Sequence, residues 1–192
     1  MILILMQSRS GSSLVASIFA AHGFDTKHSN SISQFGYMYW EHEPAKAWLR
    51  DHKRGMGYAT GVFCKQLSGI ESVIDENDCV KTGVEYWPCF KHLDYKLFIV
   101  RRDPWQICKS LQEKRNPRSR KLQPPREMWQ TVKTRERMLD QARDEGDGVD
   151  IHTERLVAGD FSEIRKAFEH HGIEFNEDKA RGCIQKEKYK QR

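Results

Sequence analysis

The sequence predicts an α/β fold, a three-layer α/β/α domain with a central parallel sheet of about four to five strands. Two of its segments, residues 1–6 (MILILM) and 95–101 (YKLFIVR), are apolar runs without alternation. That is the pattern of strands buried on both faces. Each run is followed by a polar turn and then by apolar residues at helical spacing. Strand-like and helix-like segments also alternate along the rest of the chain, which requires crossover connections and hence parallel strands.

Taken in order, residues 1–6 form the first strand and residues 7–13 a Ser/Gly-rich turn. Leu14, Val15, Ile18, Phe19 and Ala21 then fall on one helical face, stopped at Gly23. Residues 24–40 are irregular and rich in Ser, Gly and aromatics. Residues 43–53 read as a helix with Pro44 in its first turn. Residues 63–74 lean towards helix, 78–82 towards a short strand and 86–93 towards a helical turn. After the strand at 95–101, Pro104 opens a helix that runs from about residue 105 to 114. Residues 115–125 carry three of the six prolines and four basic residues, and read as an exposed loop. A long polar helix over 126–143, a strand at 149–153, an amphipathic helix over 160–171 stopped by Gly172, and a helical tail from 177 complete the chain.

Length and composition narrow the class. At 192 residues the chain fits one domain, 1–192, with a core large enough to need no disulfide framework or structural metal. With 38% hydrophobic and 31% charged residues it is not a membrane bundle or a collagen-like chain. The apolar run at residues 1–6 is too short for a signal or membrane segment, so a soluble, cytoplasmic protein is expected. Five cysteines without a CxxC spacing fit scattered thiols in a reducing compartment rather than a zinc site. The net charge of +5 is modest, and the basic stretch at 114–121 reads as a solvated face rather than a nucleic-acid surface.

Two strand–turn–helix junctions carry the chemistry. In the first, QSRSGSSLV, Gly11 lets the backbone bend and approach a ligand. Ser10, Ser12 and Ser13 offer hydroxyls, Arg9 offers a planar fork for two anionic oxygens, and the next amides open a helix. Taken alone, the string fits a Ser-rich turn capping a helix equally well. The GxxxxGK[ST] pattern is absent, which argues against ATP or GTP phosphotransfer. In the second junction, VRRDPWQICKSL, Arg102 stands at a strand's carboxyl end, where ligands collect in open α/β sheets, and Ser110 lies two turns into the next helix. Its bland alternative pairs Arg102 with Asp103 or another nearby carboxylate.

Together the two junctions resemble the sulfotransferases that use 3′-phosphoadenylyl sulfate (PAPS), in particular their small bacterial and viral members. Those pair [KR]SG[ST][ST] after the first strand with R-[ND]-P-x₅-S after a later one. The resemblance implies a P-loop-like parallel sheet between helices. It also implies that Arg9, Ser10, Gly11, Ser12 and Ser13 hold the 5′-phosphosulfate, and that Arg102 and Ser110 hold the 3′-phosphate. Looser similarity covers Val80-Lys81-Thr82 and Thr153-Glu154-Arg155-Leu156.

The function expected from the resemblance is transfer of a sulfonate from PAPS to a hydroxyl or amine, leaving adenosine 3′,5′-bisphosphate, with no metal. Arg9 is the expected electrostatic catalyst. A base is needed within hydrogen-bond reach of the acceptor. Glu41 is the first choice and His42 the second, with His28, Glu43, Glu85 and His92 as further candidates. The aromatics Phe35, Tyr37, Tyr39 and Trp40 fit either a core under a loop or the wall of an acceptor pocket. Expected partners are a small-molecule, glycan or peptide acceptor, without nucleic acid or membrane. The chain is short for the family, which leaves room for a site completed by a second copy in a homo-oligomer. The alternatives are an adenine-nucleotide-binding module without turnover and a P-loop small-molecule kinase.

Overall fold

Strand β1 (Ile2–Met6) lies at the centre of a four-stranded parallel sheet. A computed structural model of the chain describes residues 1–27, 42–53, 69–115 and 124–188. The strand order is β2-β1-β3-β4, with β2 at Cys79–Gly83, β3 at Lys96–Arg101 and β4 at Val149–His152. In register, Ile4 faces Lys81 on one side and Phe98 on the other, and Arg101 faces His152.

The unbroken apolar runs are explained by two-sided burial. Ile2, Ile4, Phe98 and Val100 point into one core, and Leu3, Leu5, Leu97 and Ile99 into the other. The first core is covered by α1 (Ser12–Ala21), α6 (Ser162–His170) and α7 (Glu177–Lys188). Its centre is Phe19, packed edge-on against Phe98 at 4.6 Å and stacked on Phe168 at 4.8 Å between ring centroids. The second core is covered by α2 (Glu43–Lys53), a 3₁₀ helix at Val84–Cys89 and α4 (Arg126–Glu145). Helix α3 (Pro104–Arg115) packs on α4 through Ile107, Cys108, Met128 and Val132. The fold is therefore α/β, with helices on both faces of a parallel sheet. Among the described residues no helix is long and apolar enough to cross a membrane.

The stop signals act where the sequence places them. Gly23 and Gly172 take φ of 96° and 64°, the left-handed region that a side chain disfavours. Two elements differ from expectation. The fourth strand ends at His152, and Thr153 opens a short helix, α5 (Thr153–Ala158). Helix α5 closes at Gly159 (φ 87°), where Gly159 and Asp160 N–H donate to the carbonyls of Leu156 and Arg155. Asp160 is consequently not the start of the next helix. Its carboxylate accepts the Ser162 N–H at 2.9 Å and pairs with Arg155; the Ser162 bonds, foremost, hold its pKa down to about 2. The other difference is at 70–73, where the expected helix is a 3₁₀ turn (Ile70–Val73); residues 63–68 lie outside the described residues.

Candidate functional site

The chain leaves β1 for β2 on one side and returns to β3 on the other. The crevice at the carboxyl ends of β1 and β3 is thus the switch point of the sheet, where open α/β folds gather ligands. Both sequence motifs open onto it.

After β1 the backbone turns sharply. Arg9 (φ 71°) and Gly11 (φ 83°) are both left-handed, two positions apart. Ser10 N–H donates to the Gln7 carbonyl at 3.2 Å, and Leu14 N–H to the Gly11 carbonyl at 3.0 Å as α1 begins. Thr153, at the start of α5, anchors the turn: its hydroxyl is 2.8 Å from the Ser10 carbonyl and 3.2 Å from the Arg101 carbonyl. A Cβ on Gly11 would come within 3.0 Å of Thr153 Cγ2, so glycine is required by contact as well as by φ. No acidic residue stands in the first turn of α1. The Ser10 hydroxyl is fully buried, with no hydrogen-bond partner among the described residues. An isolated buried hydroxyl is costly, and a ligand oxygen is one way to satisfy it.

After β3, Asp103 caps α3 by accepting the Gln106 N–H at 2.9 Å. Arg102 donates to the Arg9 carbonyl at 3.0 Å, and Arg9 Nε donates to Ser110 Oγ at 2.8 Å. Residues about a hundred positions apart, singled out in two separate motifs, therefore touch. The bland pairing of Arg102 exists too, with Glu154 rather than Asp103, at 3.8 Å and half exposed. At that distance and exposure it contributes little.

A third cation reaches the same turn from β2. Lys81 is buried, and its ammonium donates to Ser13 Oγ at 3.1 Å. The sequence offered Lys81 only as a loose family similarity. Its place in a short strand preceding the YKLFIVR run was the available signal.

Arg101, the neighbour of Arg102, has a different task. With a side chain only 7% exposed, it bonds Asp150 at 2.7 Å, Asp140 at 2.8 Å and Glu136 at 3.4 Å. Glu136 also accepts from the Gln7 amide. Burial is the main influence on Glu136 and pushes its pKa up, while burial of Arg101 is outweighed by its carboxylate partners. This cluster ties α4 to the ends of β1, β3 and β4 beneath the site.

Beside the Arg9 turn lies a cavity of about 370 Å³. Its buried wall includes Leu49, Val80 and Lys81, the half-buried Met6 lies beside them, and its exposed edge includes Ser8 and Glu85. Lys81 is shared by the cavity and the turn.

Of the two expected bases, Glu41 lies outside the described residues, as do His28 and the aromatics at 35–40. His42 is described and also lines the cavity, but both its ring nitrogens are engaged. Nδ1 accepts the Ala45 N–H at 3.1 Å, which makes Nε2 the donor to Asp78 at 2.9 Å. Burial, the largest influence, pulls the His42 pKa down. Asp78 is pushed up by burial, but hydrogen bonds from the Asp75 N–H, Lys27 and His42 outweigh this and hold it below the usual carboxylate range. His42 is therefore the neutral cap of α2, with no lone pair left for an acceptor proton. His92 pairs with Glu71 on the surface.

The arrangement is a cationic, glycine-turned cradle at the switch point of an α/β sheet, a geometry chemically suited to an anion. Comparison with family models, with curated proteins and with solved structures found no match. Among the described residues no group of three or more His, Cys, Asp or Glu side chains is placed to hold a metal ion.

Proposed function

We propose that the chain is a PAPS-dependent sulfotransferase, moving a sulfonate from 3′-phosphoadenylyl sulfate to a hydroxyl or amine and leaving adenosine 3′,5′-bisphosphate. The observation that carries this reading is the junction of the two motifs: Arg9 bonded to Ser110, and Arg102 bonded to the Arg9 carbonyl. A ligand with two separate phosphates on one nucleoside needs two anion sites within one molecule's length, and the contact between the two motifs supports this reading.

The residues suit the donor. The turn at Gly11, the amides opening α1, the orphaned Ser10 hydroxyl and the cations Arg9 and Lys81 form a cradle for one phosphate. Arg102 and Ser110 offer a second. When bound, the donor supplies an activated sulfonate. The chain's own work is to align the reactants and to stabilise charge on the departing phosphate oxygen. Arg9 acts through its charge and its planar fork of donors.

The test is thermal stabilisation by adenosine 3′,5′-bisphosphate, which binds only the folded chain under this reading. Stabilisation larger than that by ATP with Mg²⁺ supports it. The reverse preference supports a phosphotransferase instead. Bisphosphate binding without turnover of labelled donor on any acceptor supports a binding module.

A further inference from the structure

We propose that the cavity between β1, β2, α2 and the Val84–Cys89 helix is the acceptor site, that it takes one compact uncharged alcohol or phenol of about one or two rings, and that Glu85 is the base that removes its hydroxyl proton. This rests on the sulfotransferase reading and names the acceptor class and the base that reading leaves open.

Size and lining set the class. A volume of about 370 Å³ lies at the small end of ligand pockets, enough for a single small molecule and too little for several linked sugars. Met6, Ala45, Leu49 and Val80 present apolar surface. Buried apolar surface favours a ring over a charged group, which would lose its hydration there. Lys81, whose ammonium bonds Ser13 of the anion cradle, is also one of the residues lining the cavity. An acceptor hydroxyl in the cavity is thereby brought next to the cradle.

Glu85, its side chain 40% exposed, has two neighbours at its carboxylate. Arg135 of α4 reaches one carboxylate oxygen at 3.3 Å. On the other side the carboxylate lies over Gly83: a Cβ there would fall 2.7 Å from Glu85 Oε2 and 2.8 Å from Cδ. Gly83 itself has φ −67° and ψ 144°, an extended conformation open to any residue. Its lack of a side chain is therefore not a demand of the backbone. The carboxylate occupies the space a side chain would take, so a Cβ at Gly83 would displace it, while Arg135 offers it a cation on α4.

The step balances. The acceptor O–H bond breaks and its proton passes to a Glu85 carboxylate oxygen. The acceptor oxygen forms a new S–O bond as the S–O bond to the donor's phosphate breaks. The electron pair leaves on the phosphate oxygen beside Arg9.

The experiment measures turnover of ³⁵S-labelled PAPS with 2-naphthol, phenol and N-desulfated heparin. It uses the wild type, Glu85→Gln and Gly83→Ala, each also titrated with adenosine 3′,5′-bisphosphate by thermal shift. Expected are turnover of 2-naphthol or phenol and not of heparin, and a loss of about 10²-fold or more in kcat for Glu85→Gln. Gly83→Ala is expected to lose about tenfold in kcat with a smaller change in KM, because a carboxylate pushed aside still leaves the apolar wall intact. Both variants should keep the wild-type melting temperature and the wild-type bisphosphate shift. If the bisphosphate stabilises all three proteins, the inference is overturned by heparin turned over in preference to the phenols, by no turnover of either phenol, or by wild-type rates in Glu85→Gln. If the bisphosphate does not stabilise the wild type, the sulfotransferase reading fails first, and this inference falls with it.

Discussion

Replacing Arg102 with alanine tests the central geometry most directly. Arg102 is one-third exposed, and it holds the Arg9 carbonyl at 3.0 Å and Glu154 at 3.8 Å. Losing those contacts should cost the unliganded fold no more than about 1 kcal/mol. A charge-assisted bond to phosphate contributes about 1.5–3 kcal/mol, so the bisphosphate should bind roughly 10–150-fold more weakly. At a ligand concentration of about 100 times the wild-type Kd, the wild type gains about 2.7 kcal/mol, and a variant binding about 100-fold more weakly gains about 0.4 kcal/mol. For a domain of this size that is a shift of roughly 5–10 °C reduced to about 1 °C. The control is adenosine 5′-phosphate, which lacks the 3′-phosphate and should bind both proteins alike. Equal losses for the two nucleotides, or no loss for either, would refute the assignment of Arg102 to a separate second phosphate.

Three further outcomes are expected. Gly11→Ala forces a side chain into φ 83° against Thr153, which should cost about 1–3 kcal/mol and lower bisphosphate affinity; an unchanged melting curve with unchanged binding contradicts the packed turn. Arg101→Ala leaves Glu136, Asp140 and Asp150 facing one another, and should destabilise by about 3–5 kcal/mol by denaturant titration, far more than Arg102→Ala. Stability should also fall as pH drops below about 6.5, because His42 is held neutral in the fold while an unfolded histidine takes up a proton. One such proton gives a slope of up to about 1.4 kcal/mol per pH unit between the ordinary pKa and the lowered one. His42→Gln should flatten that slope, leaving the part due to His171, which burial also pulls down; an unchanged slope in melting temperature against pH would show that His42 is not held neutral.

Much of the fold is legible because burial on both faces leaves a pattern that needs no partner to read. Residues 1–6 and 95–101 cannot alternate, since each successive side chain enters a core, and both are strands. The helix stops at Gly23 and Gly172 are equally local. What was hidden depends on contacts made across the chain. Thr153 reads as the end of a strand, yet its hydroxyl is needed by the Ser10 and Arg101 carbonyls, and the chain turns into α5 there. His42 reads as a free base beside Glu41, because nothing nearby announces that Asp78, thirty-six positions on, will take its Nε2 proton.

The adjacent arginines at the end of β3 show where local reading works and where it does not. Successive side chains of a strand point to opposite sides; Arg101 is the last residue of β3 and Arg102 follows it, and the two take different partners. Arg101 enters the layer under α4 and needs three carboxylates, which arrive from α4 and β4; none of them is close in sequence. Arg102 stands past the strand's last residue, at the switch point of the sheet, where backbone and helix ends converge. Its position was readable from the proline two residues on and the serine eight residues on. The same alternation separates Lys81, which reaches the Arg9 turn, from Val80, which enters the core. A search for site residues in such a chain should therefore start at the carboxyl end of each buried run and ask which of two neighbouring polar residues the sheet can bury.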